Sequence, residues 1–165
     1  TGTDMLVTIG GASVGDYDLV KTVLGEEGLD ITFSRVAMRP GKPLIFGKIN
    51  GIPMLGLPGN PVSAGVTAAL FLRPAISKML GAEDTTHVTE TAVLGLDLAE
   101  NDKRQDYIRA TLTIGGDGAL TATPFDRQDS SMLARFAEAD CLVIRAPFAE
   151  PIKAGERVEI IRLDG

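Results

Sequence analysis

Several ingredients are scarce in this sequence, and each scarcity excludes something. Cys141 is the single cysteine in 165 residues. No internal disulfide can form, which fits a reducing compartment. Cys141 opens the apolar run Cys-Leu-Val-Ile and reads as a small core residue rather than a nucleophile. His87, the one histidine, stands isolated. No Cys, His and carboxylate cluster has metal-ligand spacing, and no Ser-His-Asp or Cys-His set offers itself. The longest apolar stretch is broken by Arg73 and Pro74, which argues against a membrane span, and no signal peptide is visible. Neither the G-x-G-x-x-G spacing nor a P-loop occurs, and there is no internal repeat or low-complexity tract.

A basic stripe is missing too. The formal charge is -6, but it is unevenly placed. Residues 1–82 carry seven Lys and Arg against six Asp and Glu (+1), and residues 83–165 carry nine against sixteen (-7). The acidity belongs to the second half, so a nucleic-acid surface is not expected. A small anionic ligand on the first half is compatible with these numbers. At 44% hydrophobic residues the chain can build a real core.

The stretch with most chemistry is Gly56-Leu57-Pro58-Gly59-Asn60-Pro61-Val62-Ser63-Ala64, which joins an apolar strand-like run to an apolar helix-like run. Asn60 stands where an N-cap accepts hydrogen bonds from the first helical N–H groups, and Pro61 at the first helical position. A helix start of this kind is expected to turn free backbone donors toward an anion, with the Ser63 hydroxyl on the same turn. A rigid strand-to-helix connector is the alternative.

Upstream, Asp4–Ile9 reads as a strand buried on both faces, ending in Gly10-Gly11-Ala12-Ser13-Val14-Gly15-Asp16-Tyr17-Asp18. Leu19, Val20, Val23 and Leu24 then recur at helical spacing, and Gly28 lies where a C′ residue would stop the helix. Strand, glycine loop, helix is the order of a ligand-binding α/β turn. The glycines let backbone approach a ligand, while Asp16 and Asp18 could hold a hydrated Mg²⁺ shared with phosphates, orient a substrate group or merely cap the helix. Ile31–Ala37 reads as a strand. After it, Arg39-Pro40-Gly41-Lys42-Pro43 sets two cations on a rigid turn, where Arg39 can grip an oxoanion bidentately and Lys42 act as a point charge, or both simply stand as surface cations.

Asn50-Gly51 between two apolar runs signals a hairpin whose second strand delivers the Gly56 stretch. From Pro61 to Leu80 a helix is expected, with Val62, Val66, Leu70, Ile76 and Leu80 on its apolar side, a kink at Pro74 and a stop at Gly81. From Ala82 the grammar turns to β. Val88–Leu98, Tyr107–Ile114, Leu120–Thr123, Cys141–Ala146 and Arg157–Leu163 read as strands of a small barrel or sandwich, with a short capped helix over Ser130–Phe136. Two domains are expected, 1–82 and 83–165.

The motifs at 10–18, 39–43 and 56–63, in that order and spacing, resemble the molybdopterin molybdenumtransferase family, which includes bacterial MoeA and the E domain of gephyrin. The Asp-Tyr-Ile-Arg-Ala run and the late Ala-Gly-Glu-Arg-Val are similar to that family's C-terminal domain, so the resemblance spans the chain. It implies an α/β fold class: a partial three-layer, molybdopterin-binding (MogA-like) α/β domain followed by a small all-β, barrel-like domain. The implied activity is Mg²⁺-dependent insertion of molybdenum, supplied as molybdate, into adenylylated molybdopterin with release of AMP.

Carried over by position, Asp18 and Lys42 are the implied catalytic residues, with Asp18 also the Mg²⁺ ligand. Gly10, Gly11, Ser13, Gly15 and Asp16 would border the pterin nucleotide. Arg39 would assist Lys42 from a position where the family often has lysine. Pro58, Gly59, Asn60, Pro61 and Ser63 would shape the pocket and its oxoanion subsite. The resemblance further implies a cytoplasmic homodimer with small-molecule substrates, no nucleic acid or membrane partner, and molybdopterin adenylyltransferase as a pathway partner. Family members carry a long N-terminal portion, so residues 1–165 alone are expected to be nearly inactive. The adenylyltransferase branch and a peptide-binding scaffold are the competing readings.

Overall fold

The computed structural model describes residues 2–10, 25, 28–116, 118–129 and 133–163. The first unit is a four-stranded mixed sheet. Its strands are β1 (Leu6–Ile9), β2 (Leu29–Phe33), β4 (Ile45–Ile49) and β5 (Ile52–Leu57), in the order β1-β5-β4-β2. Only the β1–β5 pair is parallel. The hairpin forms as its turn residues require: Ile49 faces Ile52, and Asn50 and Gly51 take φ of 51° and 83°, the left-handed pair that Asn-Gly tolerates.

Over this sheet runs a helical segment in three pieces: α1 (Pro61–Thr67), a π turn (Ala68–Leu72) and α2 (Arg73–Met79). Ala64, Ala68, Phe71 and Leu72 pack onto Leu44, Leu55 and Leu57 of the sheet unit. The irregularity precedes Pro74 rather than falling on it. Proline lacks the N–H that would reach the Leu70 carbonyl four residues back, and the Arg73 N–H instead bonds to Ala68 O. Leu70 O is satisfied from outside the helix, by His87 Nε2 at 2.8 Å. His87 thus has a structural part that its isolation in sequence did not disclose.

The π turn also corrects the expected apolar stripe. Val62, Val66 and Leu70 are buried, but Ile76 is 46% and Leu80 83% exposed. One extra residue in the turn rotates the downstream helix, α2, by about 100° around the axis. Gly81, at φ 91°, closes the helix in a Schellman motif, Gly81 N to Lys78 O and Ala82 N to Ser77 O.

The second unit is a closed barrel, resolving the choice between barrel and sandwich. Strands β6 (Thr89–Leu94), β7 (Gln105–Ile114), β8 (Leu120–Pro124), β9 (Cys141–Arg145) and β10 (Arg157–Arg162) run β7-β8-β6-β10-β9 and return to β7. All neighbours are antiparallel except β6 and β8. Ala92, Leu94, Ala110, Ala122, Cys141, Val143, Val158 and Ile160 fill it; small residues suit so narrow an interior. Cys141 is fully buried, as its apolar setting foretold. The short helix α3 is Leu133–Ala137, and its Phe136 packs against Gly65 of α1, where a Cβ would lie 2.3 Å from the ring.

Two strand expectations need correction. Ile31–Ala37 is not a continuous strand: β2 ends at Phe33 after an irregular register, and a separate two-residue strand, β3 (Met38–Arg39), leaves the sheet to pair with β7 of the barrel. Nor is β1 buried on both faces. Val7 is 37% and Ile9 70% exposed, because β1 is the edge of its sheet and its outward side chains have no cover among the described residues. No helix among these residues is long and apolar enough to cross a membrane.

Candidate functional site

The register fixes which loops meet. Ile9 of β1 lies opposite Leu57 of β5, and Ile45 of β4 opposite Gly56. Gly10 after β1, the Pro-Gly-Asn-Pro loop after β5 and the Arg39–Pro43 turn before β4 therefore lie at one sheet edge. At the carboxyl ends of a parallel pair, this is where open α/β sheets take ligands. The first two loops touch: a Cβ on Gly59 would lie 3.2 Å from Gly10 Cα. Gly10 has φ 86° and ties its N–H to Leu57 O at 3.1 Å. Any side chain at Gly59 would push these loops apart. Gly11, Ser13, Gly15, Asp16 and Asp18, and the helical spacing at Leu19–Leu24, lie outside the described residues.

Asn60 is the N-cap foreseen, its Oδ1 accepting from Val62 N at 3.2 Å and Ser63 N at 3.3 Å, with Pro61 entering the first turn. This cap overturns one expectation. Pro61 has no N–H, Val62 and Ser63 spend theirs on Asn60, and Ala64 N bonds to Asn60 O. Those first-turn N–H groups are therefore engaged within the cap rather than turned toward an anion. Pro58 is buried and Gly59 exposed. Ser63 is only 7% exposed, and its carbonyl accepts the Thr67 hydroxyl at 2.7 Å.

The cation turn is held from both sides. Gly41, at φ 111°, sits so close to α1 that a Cβ would come within 2.4 Å of Thr67 Cγ2. Lys42 is exposed, while its carbonyl accepts the N–H groups of Val36 (3.0 Å) and Leu44 (3.1 Å). Arg39, though half exposed, reaches to the barrel. Its Nε donates to Asp106 Oδ2 at 3.0 Å and its Nη2 reaches the same oxygen. Nη2 also meets Asn101 Oδ1 at 3.3 Å, and Nη1 meets Asp102 Oδ2 at 3.5 Å. Asp102 is held down at about 2, first by the Arg104 guanidinium, then by the Arg104 N–H, with Arg39 a smaller contributor. The two cations therefore face different groups.

Beside Arg39 lies a cleft of about 400 Å³ whose lining includes Pro40, Asn101, Asp106, Gln128 and Arg145. Asn101, Asp106 and Arg145 are at most 9% exposed. Sequence reading did not single out these three. Asp106 opens the Asp-Tyr-Ile-Arg-Ala run just before the expected strand Tyr107–Ile114; the structure extends that strand to Gln105, and an inward charge in a strand needs partners. Among the described residues no group of three or more His, Cys, Asp and Glu side chains could hold a metal ion.

Two family models cover most of the chain: "Probable molybdopterin binding domain" over residues 1–78 and "MoeA C-terminal region (domain IV)" over residues 91–163. Proteins named molybdopterin molybdenumtransferase from Haemophilus influenzae and Bacillus subtilis are 34% and 32% identical to it, over 95% and 96% of this chain. The chain spans only 39% and 36% of their lengths. Among solved structures, a molybdopterin biosynthesis MoeA protein from Pyrococcus horikosii superposes with a TM-score of 0.78 at 30% identity, covering 99% of this chain and 38% of that one. A molybdenum cofactor biosynthesis protein from Pyrococcus furiosus, at TM-score 0.70 and 17% identity, covers 98% of this chain and 69% of that one and shares the fold. With both domain models matched in order, and with the barrel and mixed sheet in place, the chain belongs to the MoeA family of molybdopterin molybdenumtransferases.

Proposed function

We propose that this chain carries the oxoanion-handling part of a molybdenumtransferase site, at which molybdenum from molybdate is inserted into adenylylated molybdopterin with release of AMP. The observation that supports this reading is the register that brings Gly10, the loop after β5 and the turn before β4 to one sheet edge, with Gly10 and Gly59 in contact and Lys42 exposed on that turn. The chain's relatives are named for this activity.

In this reading Lys42 supplies the positive charge that a dianion needs, Ser63 the nearby hydroxyl, and Pro58, Gly59, Asn60 and Pro61 the pocket's shape. With the N–H groups of Val62, Ser63 and Ala64 engaged in the cap, binding rests on Lys42 more heavily than a helix-terminus site would require. Gly10, Gly11, Ser13, Gly15, Asp16 and Asp18 border the pterin nucleotide. Mg²⁺ dependence and its assignment to Asp18 stand on the family resemblance. We read residues 1–82 and 83–165 as the two domains. A homodimer, a cytoplasmic setting and an adenylyltransferase partner belong to the same proposal. Because the relatives are more than twice as long, residues 1–165 alone are expected to turn over little.

The test is titration of the chain with molybdate, alongside a molybdenum insertion assay. Lys42→Ala should weaken molybdate binding at least tenfold and Ser63→Ala less so, with insertion by the chain alone near background. Unchanged affinity in both variants would defeat the assignment. Turnover near that of a full-length relative would refute the expected inactivity.

A further inference from the structure

Arg39 and Lys42 stand three residues apart on one turn; both are exposed, but Arg39 is already engaged by the carboxylates of Asp106 and Asp102. We propose that Asp106 of the barrel is a positioning residue for Lys42: by gripping Arg39 it fixes the turn, and so sets where the Lys42 ammonium stands at the sheet edge. This rests on the assignment of Lys42 to the oxoanion and adds a part that neither the motifs nor the family match assigns.

The geometry is that of a clamp. Asp106 is 6% exposed and lies in register with Arg39 on β3 and with Arg145 on β9. A buried carboxylate thus sits in a row between two arginines on neighbouring strands. Arg145 is anchored to the carbonyls of Ala99, Ala149 and Glu150. Asn101 ties the row together, accepting from Arg39 and donating to Arg145 O at 3.1 Å and Ala146 O at 2.8 Å. The backbone adds Gln105 N to Ala37 O at 2.9 Å. On the opposite side Gly41 abuts Thr67 of α1. Between these walls, Pro40, Pro43 and the two hydrogen bonds to the Lys42 carbonyl leave the turn few alternative conformations.

Charge leads to the same assignment. Asp106 accepts two of Arg39's nitrogens, and the Asp102 carboxylate lies 3.5 Å from a third. An oxoanion approaching Arg39 would meet two carboxylates already in possession of it. Fork-shaped donation suits guanidinium better than ammonium, which gives an arginine at position 39 a reason unconnected with ligand contact. A displacement of about 1 Å in a binding group is costly, so the clamp has leverage on affinity.

Spatial adjacency alone does not establish coupling; a double-mutant cycle does. Molybdate is titrated into the chain carrying Asp106→Asn, Lys42→Gln and both, with Asp97→Asn as a remote barrel control. Asp106→Asn should weaken molybdate about tenfold beside Lys42 but less than twofold beside Gln at 42, and the control should match the parent. Arg39→Lys, which leaves the buried carboxylate in place, should give the same pattern at smaller size. In hydrogen exchange, the amides of Val36, Met38 and Leu44 should exchange faster in Asp106→Asn while those of Val143 and Ile160 hold.

Tighter molybdate binding in Asp106→Asn would show Arg39 to be a ligand held in reserve and would overturn the proposal. Equal losses in both backgrounds, or unchanged exchange at residues 36–44, would overturn it too. If the parent chain fails to bind molybdate, the reading of Lys42 falls, and the exchange measurement still decides whether Asp106 holds the turn.

Discussion

The two units of this chain solve the strand-edge problem in opposite ways. The barrel closes on itself, β7 pairing with both β8 and β9, and its interior residues from Ala92 to Ile160 are at most 8% exposed. Among the described residues the sheet has β1 and β2 as unpaired edges, and Val7 and Ile9 of β1 are exposed. Closure removes the unpaired backbone row that an edge presents. The loops with candidate chemistry sit on the open unit, and the closed unit supplies Asp106, Asn101 and Arg145 to brace one of them. Stiffness and accessibility are divided between two pieces of one chain.

The comparison predicts where truncation hurts. Ile160→Ala, in the fully buried barrel interior, should cost about 2–5 kcal/mol in chemical denaturation, the range for large-to-small core changes. Ile9→Ala, at 70% exposure, should stay within about 0.5 kcal/mol. Comparable losses at the two positions would mean that the sheet edge is covered in solution, and the contrast would fail.

His87 tests the join between the units. Its Nε2–H is the outside donor for the Leu70 carbonyl that Pro74 leaves unserved. His87→Ala should cost about 1–3 kcal/mol, the penalty for a buried acceptor left unpaired. Pro74→Ala would restore a helical N–H, so the His87 effect should shrink in that background. A full-size loss there would show that His87 contributes by packing alone.

Much of this was legible in local signals. Asn50-Gly51 gave the hairpin, Asn60-Pro61 the helix start and Gly81 its end, because each is decided by backbone preference over a few residues. Five barrel strands could be read from runs rich in Val, Ile, Leu and Thr. Their closure could not, since it depends on pairings such as Asp106 with Arg145 that span the sequence. The π turn escaped for a similar reason: Pro74 announced a disturbance, but its placement depends on His87 arriving from outside the helix. At the site, the shared sheet edge of Gly10, the loop after β5 and the turn before β4 was readable from motif order. The commitment of Arg39 to Asp106, 67 residues away, was not. Nor was the cost of a good cap, which uses the N–H groups that an anion would need.

That last point makes Asn60 informative on the open unit. Asn60→Ala removes the acceptor for Val62 N and Ser63 N and should lower stability by about 1 kcal/mol. Asn60→Gly should cost only a few tenths. If the alanine change leaves the denaturation midpoint untouched, the helix start is held by its packing on the sheet, and the open unit is less dependent on local hydrogen bonds than the contrast with the barrel requires.

The smallest effect is expected at the barrel's surface, from Asp102. Its carboxylate sits at about 2 in the folded protein, mainly through Arg104, against roughly 3.9 for an unperturbed aspartate. Because the folded value is the lower one, the contribution is fully present above about pH 4 and is lost as pH falls toward 2. Asp102→Asn should therefore separate from the parent above pH 4 and converge with it near pH 2. The difference should be slight, since the side chain is 45% exposed and such pairs are screened. In roughly 1 M salt, where the screening length is about 3 Å, it should shrink further. A gap that persists undiminished at pH 2 would assign Asp102 a role independent of its charge, and would make this rim of the barrel part of its structure rather than of its electrostatics.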